Sequence, residues 1–239
     1  MKLFRGVVIL TVAFLASATL RANATVYTDV VGDQGAGNSD GIMDITSVEV
    51  TAGANDLSFK INLNGDPTAV NWGKYCVGIS TGPGGDTVGD GWARPIGMNA
   101  SGNGMNYWLG SWCDSGGGAE LRPYTGSWGL QDATYGANPD ALTETIGTSY
   151  VTLDFKYAGI GLAPGSSFLF DVYTTGGGSS DTAIDALDNP GVTVANWSDN
   201  YNSGNSLNSF TIPVPEPSTW VLVAFGGLTL VGRIFRRRA

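Results

Sequence analysis

Asp29, Asp33, Asp40 and Asp44 fall within sixteen residues, with Gly32, Gly35, Gly37 and Gly41 between them. A flexible loop dense in carboxylates suits Ca²⁺, which takes six to eight oxygen ligands in loose geometry. The twelve-residue spacing and terminal Glu of an EF-hand are missing, so any site here is of another kind. The plain alternative is four turn aspartates facing water, since Asp beside Gly is ordinary turn chemistry. Histidine is absent from all 239 residues. Its absence removes Ser-His-Asp and Cys-His nucleophile systems, most zinc sites and the commonest general base. Glycoside hydrolysis by two carboxylates about 5–10 Å apart needs no histidine and stays as a lesser alternative. Glutamates are scarce before the tail, however (Glu49, Glu120 and Glu144), and most aspartates neighbour glycines in loops. No catalytic residue is assigned, and the chain is expected not to be an enzyme.

Aromatic residues form a second candidate site. Trp92 and Trp128 are flanked by loop residues. Sugar C–H faces stack on such rings while Asn, Asp and Arg give directional hydrogen bonds, so these two are the carbohydrate-binding candidates. Trp108 and Trp112 share one face of a strand-like run and are expected in the core. The only cysteines, Cys76 and Cys113, sit in strand-like, aromatic-flanked runs. In an oxidising compartment they are expected to pair, the alternative being two buried thiols. The run Gly176-Gly177-Gly178 is not a phosphate cradle, because no Lys follows it.

The elements that must position these residues read as strands. Segment 57–63 alternates with Leu57, Phe59, Ile61 and Leu63 on one face, and 45–51 precedes it across Gly53 and Asn55 as a hairpin. Further strands are expected at 75–80, 105–112, 119–124, 150–157, 167–174 and 209–212. One helix of about two turns is expected at 181–187, with Asp181 as N-cap and Asn189-Pro190 beyond it. Short strands spaced by Gly-rich turns predict an all-β fold, an antiparallel β-sandwich with that one short helix. The stretch from Asp29 through Gly32-Asp33 to Asp44-Ile45 looks like the opening of family-9-type carbohydrate-binding and DOMON-like sandwiches. That resemblance implies a Gly-Asp-rich entry loop able to hold calcium before the first hairpin.

Both ends of the chain are of another character. Lys2 and Arg5 precede an apolar run at 7–20, and Ala22-Asn23-Ala24 offers a small-x-small cleavage site, so 1–24 reads as a signal peptide. At the far end come Val214, Pro215-Glu216-Pro217, an uncharged run at 220–232, and then Arg233, Arg236, Arg237 and Arg238. The two prolines keep the tripeptide extended and open to an enzyme that reads or cuts it. The apolar run is short for a bilayer, which needs about 20 residues, but Trp220 at one end and the arginines at the other suit the two interfaces. A transmembrane helix is therefore expected at about 219–235, with the arginines as cytoplasmic stop. In order and composition 213–239 resembles the PEP-CTERM sorting tail of Gram-negative bacteria. The resemblance implies processing by an exosortase, with Pro215, Glu216 and Pro217 as the sorting motif, transient residence in the inner membrane, and delivery to the cell surface or extracellular matrix.

Trimming both ends leaves an ectodomain at 25–212. Of twelve Lys and Arg, three lie in the leader and four in the tail, whereas only Glu216 of twenty-one acids lies outside the ectodomain. Twenty acids against five bases repel nucleic acid and attract divalent cations. The expectation is an exported, non-catalytic surface or matrix protein, the alternative a Ca²⁺-dependent carbohydrate-binding module acting on extracellular polysaccharide.

Overall fold

The alternation at 57–63 buries Leu57, Phe59, Ile61 and Leu63 along one face of a strand, Asp56–Leu63. The same period-two rule builds most of the molecule. The computed structural model describes residues 23–35, 40–99, 102–188, 196–203 and 207–214. In chain order these hold β1 (Asn23–Thr28), β2 (Ile45–Ala52), β3 (Asp56–Leu63), β4 (Lys74–Ser80) and β5 (Ile96–Met98). Next come β6 (Tyr107–Trp112), β7 (Gly118–Pro123), β8 (Asp132–Ala133), β9 (Thr143–Ile146) and β10 (Tyr150–Lys156). The last are β11 (Ser167–Thr175), β12 (Ala183–Ala186), β13 (Tyr201–Ser203) and β14 (Asn208–Thr211).

The strands form two stacked antiparallel sheets. One runs β1-β2-β3-β10-β9; the other runs β12-β11-β4-β6-β7-β8, with β14 also on β11. A small parallel pair, β13-β5, stands apart from both. The main core lies where Val48, Val50, Phe59 and Leu153 of the first sheet meet Val77, Leu109, Phe170 and Val172 of the second. Phe59 is its hub, stacked with Phe155 at 6.4 Å and edge-on to Phe170 at 5.4 Å. Burying one such side chain is worth about 1.5–3 kcal/mol. β1 closes the edge of the first sheet: Tyr27 packs edge-on against Phe170 at 5.0 Å and its hydroxyl donates to Ser209 O.

All seven residues of β4 are buried, because the second sheet is covered on both faces. Tyr75, Val77 and Ile79 enter the main core, whereas Cys76 joins Trp108, Tyr173, Met98, Met105 and Tyr201 in a second cluster on the outer side. The Trp108 ring fills a slot that only glycines leave open. A Cβ on Gly110 would come within 1.9 Å of the ring, and one on Gly91 within 2.2 Å. Its indole N–H donates to the Tyr173 hydroxyl at 2.7 Å, which in turn donates to Asp90 at 3.1 Å.

The expected helix at 181–187 is not formed. Ala183–Ala186 is strand β12, with Tyr173 opposite Ala186 and Thr174 opposite Asp185 on β11. A seven-residue helix is marginal alone, whereas this strand pairs with β11 where its backbone would otherwise lack partners, and all four of its residues are buried. The helical residues among those described are confined to three 3₁₀ turns, Pro67–Ala69, Asp114–Gly116 and Tyr157–Ile160.

Candidate functional sites

Asp44 stands at the entry to β2, fully buried. Both its carboxylate oxygens accept from the Gly32 N–H, at 3.0 and 2.9 Å, and Oδ2 also accepts from Asn64 at 2.9 Å. These bonds fold the loop at 29–35 back over the start of the strand. Asp185 approaches from β12 with 1% of its surface exposed, and its Oδ2 accepts from the Ile45 N–H at 2.5 Å. One carboxylate oxygen each from Asp33, Asp44 and Asp185 lie within 4.8 Å of one another. Asp29 completes the electrostatic group. Burial pushes its carboxyl up to about 7, helped by the negative charges of Asp33, Asp171 and Asp44. Asp185 is pushed up to about 8 by burial and by Asp29, Asp33 and Asp44. The two ion pairs among the described residues, Lys74–Asp114 and Arg122–Glu120, lie elsewhere.

The sequence placed Asp29, Asp33, Asp40 and Asp44 in one set. The structure joins Asp33 and Asp44 to Asp185 and leaves Asp40 exposed, its Oδ1 turned to the Ile42 N–H at 3.4 Å as a turn cap. Asp185 was missed because it sat inside the expected helix. The available signal was a single acid amid the apolar run Ala183-Ile184-Asp185-Ala186-Leu187.

Trp92 and Trp128 are both half-buried and pack against the outer cluster, but they serve separate places. The Trp92 ring meets Trp108 edge-on at 4.5 Å, carries the Arg94 guanidinium at 4.7 Å, and donates its N–H to Glu120 at 2.8 Å. Burial alone would raise the Glu120 carboxyl, yet donors from Arg122, Tyr135 and Trp92 outweigh it and hold it below its ordinary range. Trp128 sits beside Tyr124 at 5.2 Å and donates to Asp86 at 3.0 Å. Next to Trp92 a depression of about 240 Å³ is lined by Lys74, Trp92, Arg94, Trp112 and Asp114. Arg94 is 4% exposed; its Nε and Nη2 donate to Gly178 O and Gly176 O, and Nη1 is buried with no acceptor among the described residues. The depression's one carboxylate, Asp114, is held by Lys74 at 2.7 Å, and that partner keeps it below the usual carboxylate range.

Cys76 and Cys113 are not bonded; both thiols are free. Cys76 is opposite Gly110, while Cys113 lies one residue beyond Trp112, which faces Lys74. The two are thus offset by three residues, about 10 Å along the ladder, and an odd offset puts them on opposite faces. Cys76 belongs to the outer cluster and Cys113 packs on the main core. Burial pushes the Cys113 thiol up to about 12 and that of Cys76 higher still, so neither is a reactive thiolate.

Residues 1–22 of the leader expected at 1–24, the sorting tripeptide Pro215, Glu216 and Pro217, the spanning segment expected at about 219–235, and Arg233, Arg236, Arg237 and Arg238 lie outside the described residues, while Asn23 and Ala24 of that leader begin β1, opposite Ala52 and Thr51. No helix among the described residues is long and apolar enough to cross a membrane. In sequence, residues 213–238 match the PEP-CTERM protein-sorting motif. No curated protein matches the chain. The motif implies export and sorting to the bacterial cell surface by an exosortase.

Proposed function

We propose that this chain is a non-catalytic β-sandwich, carried through the inner membrane of a Gram-negative bacterium and released to the cell surface or matrix after exosortase removes its tail. The observation that carries this reading is the sorting motif at 213–238. The domain arrangement that goes with it is a leader at 1–24, an ectodomain at 25–212 and a tail at 213–239. The test is to replace Pro215, Glu216 and Pro217 with alanine in a host that carries the exosortase. The variant is expected to stay at full length in the inner membrane, while the wild-type chain loses mass at its C-terminus. Equal trimming and release of the two would overturn the reading.

A second reading, binding of extracellular polysaccharide, is favoured by the depression beside Trp92. Two indole walls and two of the ectodomain's five cations converge there, in a domain otherwise crowded with acids. Such a combination suits an acidic sugar, whose ring stacks on Trp while its carboxylate faces Arg94 and Lys74. Retention on an insoluble uronic-acid polymer should fall with Trp112→Ala and persist with Trp128→Ala; equal retention of the two removes the depression from consideration.

A further inference from the structure

We infer that Asp33, Asp44 and Asp185 hold one Ca²⁺, with Asp29 beside them, and that the ion fastens the entry loop of the first sheet to β12 of the second. Two ligands on opposite sides of one Ca²⁺ stand about 5 Å apart, because each Ca–O distance is about 2.3–2.6 Å. Three carboxylate oxygens within 4.8 Å of one another fit a single ion. Independent of that clustering, the oxygens around it are short of donors. Asp185 is all but sealed from solvent, yet only its Oδ2 is used, by the Ile45 N–H; Oδ1 accepts from no donor among the described residues. Asp29 Oδ2 is likewise buried without a donor among the described residues. Burying acceptors that accept nothing is costly. A cation removes that cost for all of them and neutralises the mutual repulsion of four carboxylates. The set contains only oxygen, with no imidazole or thiolate, which favours a hard cation over zinc or copper. Carboxylates drawn from a loop and a strand at uneven spacing favour Ca²⁺ over Mg²⁺, which demands a near-ideal octahedron.

The position gives the ion a task. Gly35 N–H donates to Ile184 O at 2.5 Å, a backbone bond from the loop to β12, and Ile45 N–H at the start of β2 donates to the Asp185 carboxylate. The ion would add a charged clasp at that junction. Its place outside the cytoplasm rests on the proposed export, whereas the site itself uses no residue of the tail.

The test is calorimetric titration of the full chain in detergent with CaCl₂, alongside thermal melts in CaCl₂, MgCl₂ and chelator. Wild type is expected to bind one equivalent of Ca²⁺ and to melt higher in CaCl₂ than in chelator, with MgCl₂ giving a smaller rise. Asp185→Asn should lose saturable binding and melt at the same temperature in CaCl₂ and in chelator. Asp33→Asn, on the loop, supplies the same loss of binding if Asp185→Asn does not fold. Asp40→Asn should titrate like wild type. No saturable binding by wild type, unchanged binding after loss of Asp185 or Asp33, equal loss with Asp40→Asn, or equal stabilisation by Mg²⁺ would each overturn the assignment.

Discussion

Glu144, on β9, accepts from the Ser111 hydroxyl beneath it and has no cation partner among the described residues. Burial pushes its carboxyl up to about 7, against the donors that would lower it. Between its ordinary value near 4.5 and about 7, the unfolded chain has released this proton while the folded chain keeps it. Stability from this group is therefore full below pH 4.5 and is lost as pH rises through 7. Glu144→Gln keeps an acceptor for Ser111 and deletes the titration. Urea melts should show the variant gaining on wild type between about pH 4 and about pH 8. The gain should be on the order of 1–2 kcal/mol, because one pKa unit is worth about 1.4 and solvent screens a half-buried group. Parallel pH profiles for the two proteins would show that Glu144 ionises normally. Nothing in the residues around Glu144 in sequence announces this environment; it comes from burial in the folded chain, beside Ser111 thirty-three positions away.

The hairpin β2–β3 was legible because each side chain's fate follows from its parity, and the observed register, Val50 opposite Phe59 and Val48 opposite Ile61, keeps that parity. β4 and β6 were also legible, as short β-rich runs set between Gly, Asn, Asp and Ser clusters. β12 was not, since an Asp N-cap pattern followed by Ala and Leu favours a helix locally, and only pairing with β11 overrides it. The carboxylate cluster inherited that error: Asp29, Asp33 and Asp44 are neighbours in sequence, but Asp185 reaches them through the sheet. The sorting tail needed no tertiary contact to be read, because the order of residue types carries it. At this scale the outer cluster gives a prediction about β6. With no room for a Cβ, Gly110→Ala should cost about 1–3 kcal/mol in a denaturant melt, the usual range for overpacking. The penalty should shrink in a Trp108→Leu background, where the ring is gone. An undiminished penalty there would mean that the backbone at Gly110, and not the Trp108 slot, sets the cost.

For the whole molecule the dominant quantity is charge. Residues 25–212 hold twenty acids and five bases, so the folded state concentrates a large negative charge that the unfolded chain spreads out. Three of the five cations, Lys74, Arg94 and Arg122, gather around Trp92 and Glu120, and two of these form the ion pairs Lys74–Asp114 and Arg122–Glu120. The remaining acids thus have little attraction to offset their repulsion. Monovalent salt screens repulsion and attraction alike over a Debye length of about 10 Å at 0.1 M, and here repulsion is the larger quantity. Raising NaCl from about 50 to about 500 mM should therefore stabilise the mature chain by on the order of 1 kcal/mol, about 2–4 °C in melting temperature for a domain of this size. A chain held together by surface ion pairs would respond with the opposite sign. The NaCl effect should also be gradual across the whole range, unlike the saturable rise expected from Ca²⁺ at Asp185, so the two contributions separate by adding chelator at each salt concentration. A melting temperature that falls with NaCl would place the ectodomain's electrostatics in its few ion pairs and not in its net charge.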